Sequence, residues 1–188
     1  MKKLLVLSTL VAVILTTANA RWGHHGGGYG ANLQYSDAPK AASLTKKQKD
    51  DLIFMYQEEK LARDVYITLG NKWNLRVFHN IQRAEQRHMD AVKSLLQRYN
   101  LPIPVVSDKI GVFENKELQA LYNKLVKKGS KSLKDALEVG KIIEETDIAD
   151  LEEKIQNAPS DIQRVYSNLL RGSYNHLRAF TRNLGRVR

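Results

Sequence analysis

The chain has 188 residues, thirty of them basic and twenty acidic, and 43% are apolar, enough for one domain with a core of its own. It contains no cysteine, which excludes disulfides, thiolate metal sites and cysteine nucleophiles together. A formal charge of +10 favours solubility and loose attraction to polyanions, but it names no partner.

The first twenty residues read as a secretory signal peptide. Lys2 and Lys3 precede an apolar run from Leu4 to Leu15, and Ala18-Asn19-Ala20 offers a small-x-small cleavage site before Arg21. The run falls short of the ~20 residues that spanning a bilayer takes. We therefore expect export to the periplasm or the medium, with no membrane span in the mature chain. From residue 21 to 43 the sequence is glycine-rich and aperiodic, a flexible linker in which His24 and His25 have no further ligand nearby.

Order is expected from residue 44. Thr45 and Gln48 form a capping box with Leu44 as its staple, and Leu52, Met55, Tyr56, Glu59, Ala62, Tyr66 and Leu69 then recur at helical spacing. The first helix spans about 46–70. A second, with Asn74 as its cap, brings Val77, Ile81, Ala84, Glu85, His88, Val92 and Leu95 to one side and ends near Asn100. Leu101-Pro102-Ile103-Pro104 stops it. A shorter helix follows over about 115–128 and closes at Gly129.

The third long helix starts at Ser132, with Asp135 three residues on. Its stripe reads Leu133, Ala136, Leu137, Gly140, Glu144, Asp147 or Ile148, Leu151 and Ile155. The fourth turns Ile162, Val165, Tyr166, Leu169, Ser173, His176, Leu177 and Phe180 inward, and residues 185–188 form a basic tail. No segment alternates as a strand would. The expected fold is all-α: a ferritin-like four-helix bundle over 44–184. The long connection between the second and third long helices contains the short extra one, as in a single-crossover bundle.

Carboxylates on apolar stripes are costly unless paired or bound to a cation. Six inward residues could hold two divalent ions, with mostly oxygen donors and one imidazole for each ion: Glu59, Glu85, His88, Glu144, Asp147 and His176. Glu85 and His88 make one complete Glu-x-x-His, whose two ends share a helix face. The last helix supplies only His176, because Ser173 stands where the pattern expects glutamate, and Asp147 is the candidate to supply the missing carboxylate.

Each residue has a plainer alternative. Glu85 and His88 can pair locally, Glu59 can bridge to Arg63 or to a lysine, and Asp147 can belong to a solvated acidic face running from Glu144 to Glu153. Tyr66 reads as a core tyrosine able to line the site, and His79 is given no role.

The run from Glu58 to Tyr66, Ala84 to His88, Val139 to Leu151 and Ser173 to Phe180 resembles the ferritin-like family catalogued as domain of unknown function 2202. The likeness covers about 44–184. Glu59, Ala62, Arg63 and Tyr66 are also similar to the first helix of rubrerythrins, where the matching glutamate binds metal. The resemblance implies a ferritin-like fold with a di-iron or di-manganese centre. It assigns no reaction: serine at position 173 departs from active rubrerythrins and bacterioferritins, and no cysteine-based electron donor is present.

If the centre is catalytic, the reaction it implies is iron oxidation by oxygen, or removal of peroxide. A second class is a metal-independent periplasmic stress chaperone of the Spy type, suggested by Leu44-Thr45-Lys46-Lys47-Gln48. Those chaperones carry two such motifs, and this chain has one. A basic protein that binds nucleic acid or envelope polyanions through Arg171, Arg178, Arg182, Arg186 and Arg188 ranks last, because no base-reading motif is present.

Overall fold

A computed structural model describes residues 43–104 and 109–187. The expected signal peptide and nearly all of the expected glycine-rich linker lie outside the described residues. Five helices follow in order: α1 (Lys46–Trp73), α2 (Arg76–Arg98), α3 (Lys116–Gly129), α4 (Leu133–Ile155) and α5 (Ser160–Leu184), with no strand among the described residues. None of these helices is long and apolar enough to cross a membrane.

Local signals account for most of the boundaries. The Thr45 side chain accepts from the Gln48 N–H while the Gln48 side chain accepts from the Thr45 N–H, completing the capping box that opens α1. Asn115 and Ser132 cap α3 and α4 through their side chains. One expected boundary is corrected. Asn74 does not open α2; it closes α1 in the left-handed conformation, at φ 47°, with its N–H bonded to the Gly70 carbonyl. Leu75 therefore stands at the α2 start with no side-chain cap, and α1 runs three residues beyond the glycine expected to end it.

α1 packs along α2, and α4 along α5; α2 then meets α5 and α1 meets α4, so the four long helices form a ring. α3 lies in the crossover and rests on α4 and α1. This is a four-helix bundle with a crossover helix.

Two side chains on α1 hold the crossover down. Lys60 and Asp64, one turn apart and wholly buried, form an ion pair. Asp64 also accepts from the Gly111 N–H at 2.9 Å and from Arg63 at 2.8 Å, while the Lys60 ammonium donates to the carbonyls of Val112 and Lys109 and lies 4.3 Å above the Phe113 ring. Gly111 takes a positive φ of 75°, and a Cβ there would lie 2.4 Å from the Tyr122 ring.

The core is divided in two. One cluster contains Leu61, Val65, Tyr66, Leu69, Phe78, Ile81, Leu137, Ile143 and Phe180. The other contains Leu52, Met55, Tyr56, Met89, Val92, Leu151, Ile162, Tyr166 and Leu169. Each long helix passes from one cluster to the other, and in each the gap falls at polar residues: Glu59 on α1, Glu85 and His88 on α2, Glu144 and Asp147 on α4, Ser173 and His176 on α5.

Candidate metal centre

Across that gap the inward side chains form a polar layer walled by apolar packing. Glu59, Glu85 and Glu144 are each 2% exposed and His176 is 9% exposed. Glu85 sits at the centre of the layer. Its Oε2 lies 2.8 Å from His88 Nδ1, and its Oε1 lies 3.0 Å from His176 Nδ1. Glu59 Oε2 approaches His88 Nδ1 to 3.3 Å, and Glu144 Oε2 approaches His176 Nδ1 to 3.5 Å. The two imidazole rings stack at 5.6 Å between centroids.

The result is two triads, Glu59–Glu85–His88 and Glu85–Glu144–His176, in each of which one atom per residue lies within 4.8 Å of the others. Glu85 belongs to both, one oxygen to each. Donor atoms about 2.1 Å from a divalent ion stand roughly 3 Å apart along an octahedral edge. The separations of 2.8 and 3.3 Å in the first triad, and of 3.0 and 3.5 Å in the second, suit that spacing and suit ion pairs to the imidazoles equally, and the remaining edge of each triad lies within 4.8 Å.

The hydrogen bonding supports the same fit. Buried polar atoms are nearly always partnered. Here Glu59 Oε1, Glu85 Oε1 and His176 Nδ1 are buried without a hydrogen bond, and they converge on one layer. Glu85 Oε1 and His176 Nδ1, 3.0 Å apart, form an ion pair when the ring is protonated, and the same two atoms are free to face a cation when it is not.

Without metal the cluster is a protonated network. Burial disfavours the His88 imidazolium, but hydrogen bonds to Glu59 and Glu85 outweigh it and bring the ring to about 11; for His176, burial is likewise outweighed by Glu144 and Glu85, giving about 10. Burial would raise Glu85, yet His176 and His88 hold it at about 2. Burial, and then the negative charge of Glu85, lift Glu144 to about 8. Burial, and then Asp147, lift Glu59 well above the usual carboxylate range. A cation binding here would have to displace these protons.

Of the six residues expected at the site, five form the triads. Asp147 belongs to neither. It is half-buried beside them, its Oδ2 accepts from the Ser173 hydroxyl at 2.5 Å, and burial raises its carboxyl to about 6. The serine that stands in place of a glutamate thus bonds the carboxylate proposed to replace it. The simpler alternative of a fully solvated acidic face fails: Glu144 and Asp147 turn inward, while Glu145, Glu152 and Glu153 are exposed. Glu59 does not pair with Arg63, whose guanidinium bonds Asp64 and Gln86.

Tyr66 combines both roles considered for it. Its ring packs against Phe78 and Phe180, and its hydroxyl donates to Glu144 Oε1 at 2.6 Å. Gly172 was not anticipated: a Cβ there would lie 2.7 Å from His88 Nε2. A glycine inside a helix with no capping role was the available signal. His79 Nε2 lies 3.4 Å from the Asn74 side chain, away from the layer.

Comparison with known proteins places this chain in a family. The family described as an uncharacterized protein domain, DUF2202, matches residues 48–187, and the chain belongs to it. The uncharacterized protein MJ0754 of Methanocaldococcus jannaschii is 54% identical over 153 residues, covering 81% of this chain and 83% of that protein. The crystal structure of the hypothetical protein MJ0754 superposes with a TM-score of 0.76 at 55% identity, over 80% of this chain and 86% of the other. A DUF305 fragment from Deinococcus radiodurans has a TM-score of 0.57 at 16% identity, over 76% of this chain and 98% of the fragment, a likeness of fold alone.

Proposed function

We propose that this member of the family is an exported ferritin-like protein whose bundle holds two iron ions, bridged by Glu85, and that the pair serves oxidation of iron by oxygen or reduction of peroxide. The observation that carries the reading is the position of Glu85, with one oxygen facing each histidine and one further glutamate completing each triad. Glu59 and His88 would hold one ion, Glu144 and His176 the other. Asp147 is the added carboxylate within reach of this layer, held by Ser173. Manganese suits the same oxygen-rich donors, so the metal is the part of the reading that analysis of the protein from its own source must fix.

A bound pair of such ions supplies one-electron redox steps and a positively charged seat for a small oxidant. The chain's own contribution is to hold the carboxylates in a buried layer and to take up or release protons at His88, His176 and Glu144 as charge in the site changes. The export part of the proposal rests on residues 1–20, and mass spectrometry of the secreted chain should find Arg21 at its N-terminus.

The function is tested by adding iron(II) without oxygen, then oxygen or peroxide, to the wild type and to Glu85→Ala. Oxidant consumption by the wild type and its loss in the variant are expected; equal consumption by both would overturn the reading. Thr45 and Gln48 cap α1, and the Gln48 amide also donates to the Asn157 carbonyl, so the chaperone-like motif has a structural use at the helix start.

A further inference from the structure

We infer that the two metal positions are unequal. The Glu85–Glu144–His176 position fills first and retains its ion, and the Glu59–Glu85–His88 position fills second and exchanges, with Tyr66 and Gly172 as the positioning residues that set the difference. The inference rests on the dinuclear reading above and goes beyond it.

The two triads have the same donors, two carboxylates and one imidazole, so donor chemistry does not separate them. Their surroundings do. Glu144 uses Oε2 toward His176, and its other oxygen is fixed by the Tyr66 hydroxyl at 2.6 Å. Tyr66 is wholly buried, with its ring held between Phe78 and Phe180, so this bond comes from a side chain that has no room to turn away. Glu59 uses Oε2 toward His88, and its other oxygen is buried without a partner. A ligand whose outer oxygen is held loses less freedom when the ion arrives; groups of that kind change metal affinity by ~10–100-fold.

His88 also depends on space that His176 does not need. Its ring lies against the α5 backbone at Gly172, where a Cβ would meet Nε2 at 2.7 Å and Cε1 at 2.9 Å, while the His176 ring stays 4.0 Å away. The bare glycine is what lets His88 reach Glu85. Adding one methyl would press on the end of a side chain, not on backbone, so the bundle can remain intact while Nδ1 is drawn off its 2.8 Å approach to Glu85. Alanine also favours helix more than glycine does.

The experiment titrates the full chain with manganese(II) and counts bound and free ion by electron paramagnetic resonance, which also reports coupling between two neighbouring ions. For the wild type we expect two steps, the first ~10-fold or more tighter, with coupling appearing only in the second. Tyr66→Phe should weaken the first step by ~10–100-fold and merge the two. Gly172→Ala should keep the first step and lose both the second and the coupling, with helix content unchanged by circular dichroism. Two equal steps in the wild type, or loss of the tight step in Gly172→Ala with the weak one retained, would overturn the inequality and leave the dinuclear reading standing. No binding by the wild type would overturn both.

Discussion

Each oxygen of Glu85 meets a different imidazole, and that geometry decides what protons do at the site. His88 and His176, raised to about 11 and about 10 from an ordinary 6.5, are both charged at neutral pH in the metal-free protein. Since the folded values are raised, their contribution to metal-free stability is complete below pH 6.5 and is lost as pH climbs through 10 to 11. Metal binding has the opposite dependence, because an ion must displace both imidazole protons, and below about pH 8 that of Glu144 as well. Loading both positions near neutrality should therefore release at least three protons, and the overall constant for binding two ions should fall by on the order of 1,000-fold for each pH unit of acidification. Calorimetry of manganese binding in buffers of different ionisation enthalpy measures the count; no net release would contradict the protonated network. Glu85, His88 and their partners could be read in the sequence because a carboxylate on an apolar stripe is anomalous by itself. Gly172 and the Tyr66–Glu144 bond could not, since both depend on contacts between helices whose rotation the sequence does not specify.

The long helices were legible as elements because their apolar residues repeat at helical spacing and their starts carry side-chain caps. Asn74 shows the limit of such signals: a residue able to cap a helix start also tolerates the left-handed conformation that closes the preceding one, and the short link between α1 and α2 leaves only the latter use. The crossover was predicted by length, but its anchor was not. Lys60 and Asp64 look like an ordinary surface pair one turn apart, and only the fold reveals that the segment from Lys109 to Phe113 covers them. Asp64→Leu should leave the buried Lys60 ammonium without a carboxylate, at a cost of about 3–5 kcal/mol, while Lys60→Met should cost less because Arg63 still pairs with Asp64. Urea unfolding of the two variants distinguishes this from a surface pair, whose loss costs less than ~1 kcal/mol. α4 makes a comparable demand at Gly140, where a Cβ would lie 2.4 Å from the Phe180 ring. Gly140→Ala should destabilise the bundle by about 1–3 kcal/mol despite the better helix propensity of alanine, as a lower urea midpoint with an unchanged slope.

Over the molecule as a whole, a polar layer separates two apolar clusters at one level of all four long helices. A bundle selected for stability alone would fill that layer with leucine; three buried glutamates are retained there at a cost. If cations offset that cost, they should stabilise the fold. An ion present at 100 times its dissociation constant adds about 2.7 kcal/mol, which for a chain of this size raises Tm by roughly 5–10 °C. A thermal scan with and without manganese(II) reads this, and Glu85→Ala should show no such rise. The most direct measurement of the dinuclear centre is the metal bound by the full chain at equilibrium dialysis against excess manganese(II), by elemental analysis, beside Glu85→Ala. Two ions per wild-type chain, and none bound by the variant, is the result expected from a carboxylate shared by both positions. Absence of stoichiometric metal in the wild type, or equal content in the variant, would contradict it.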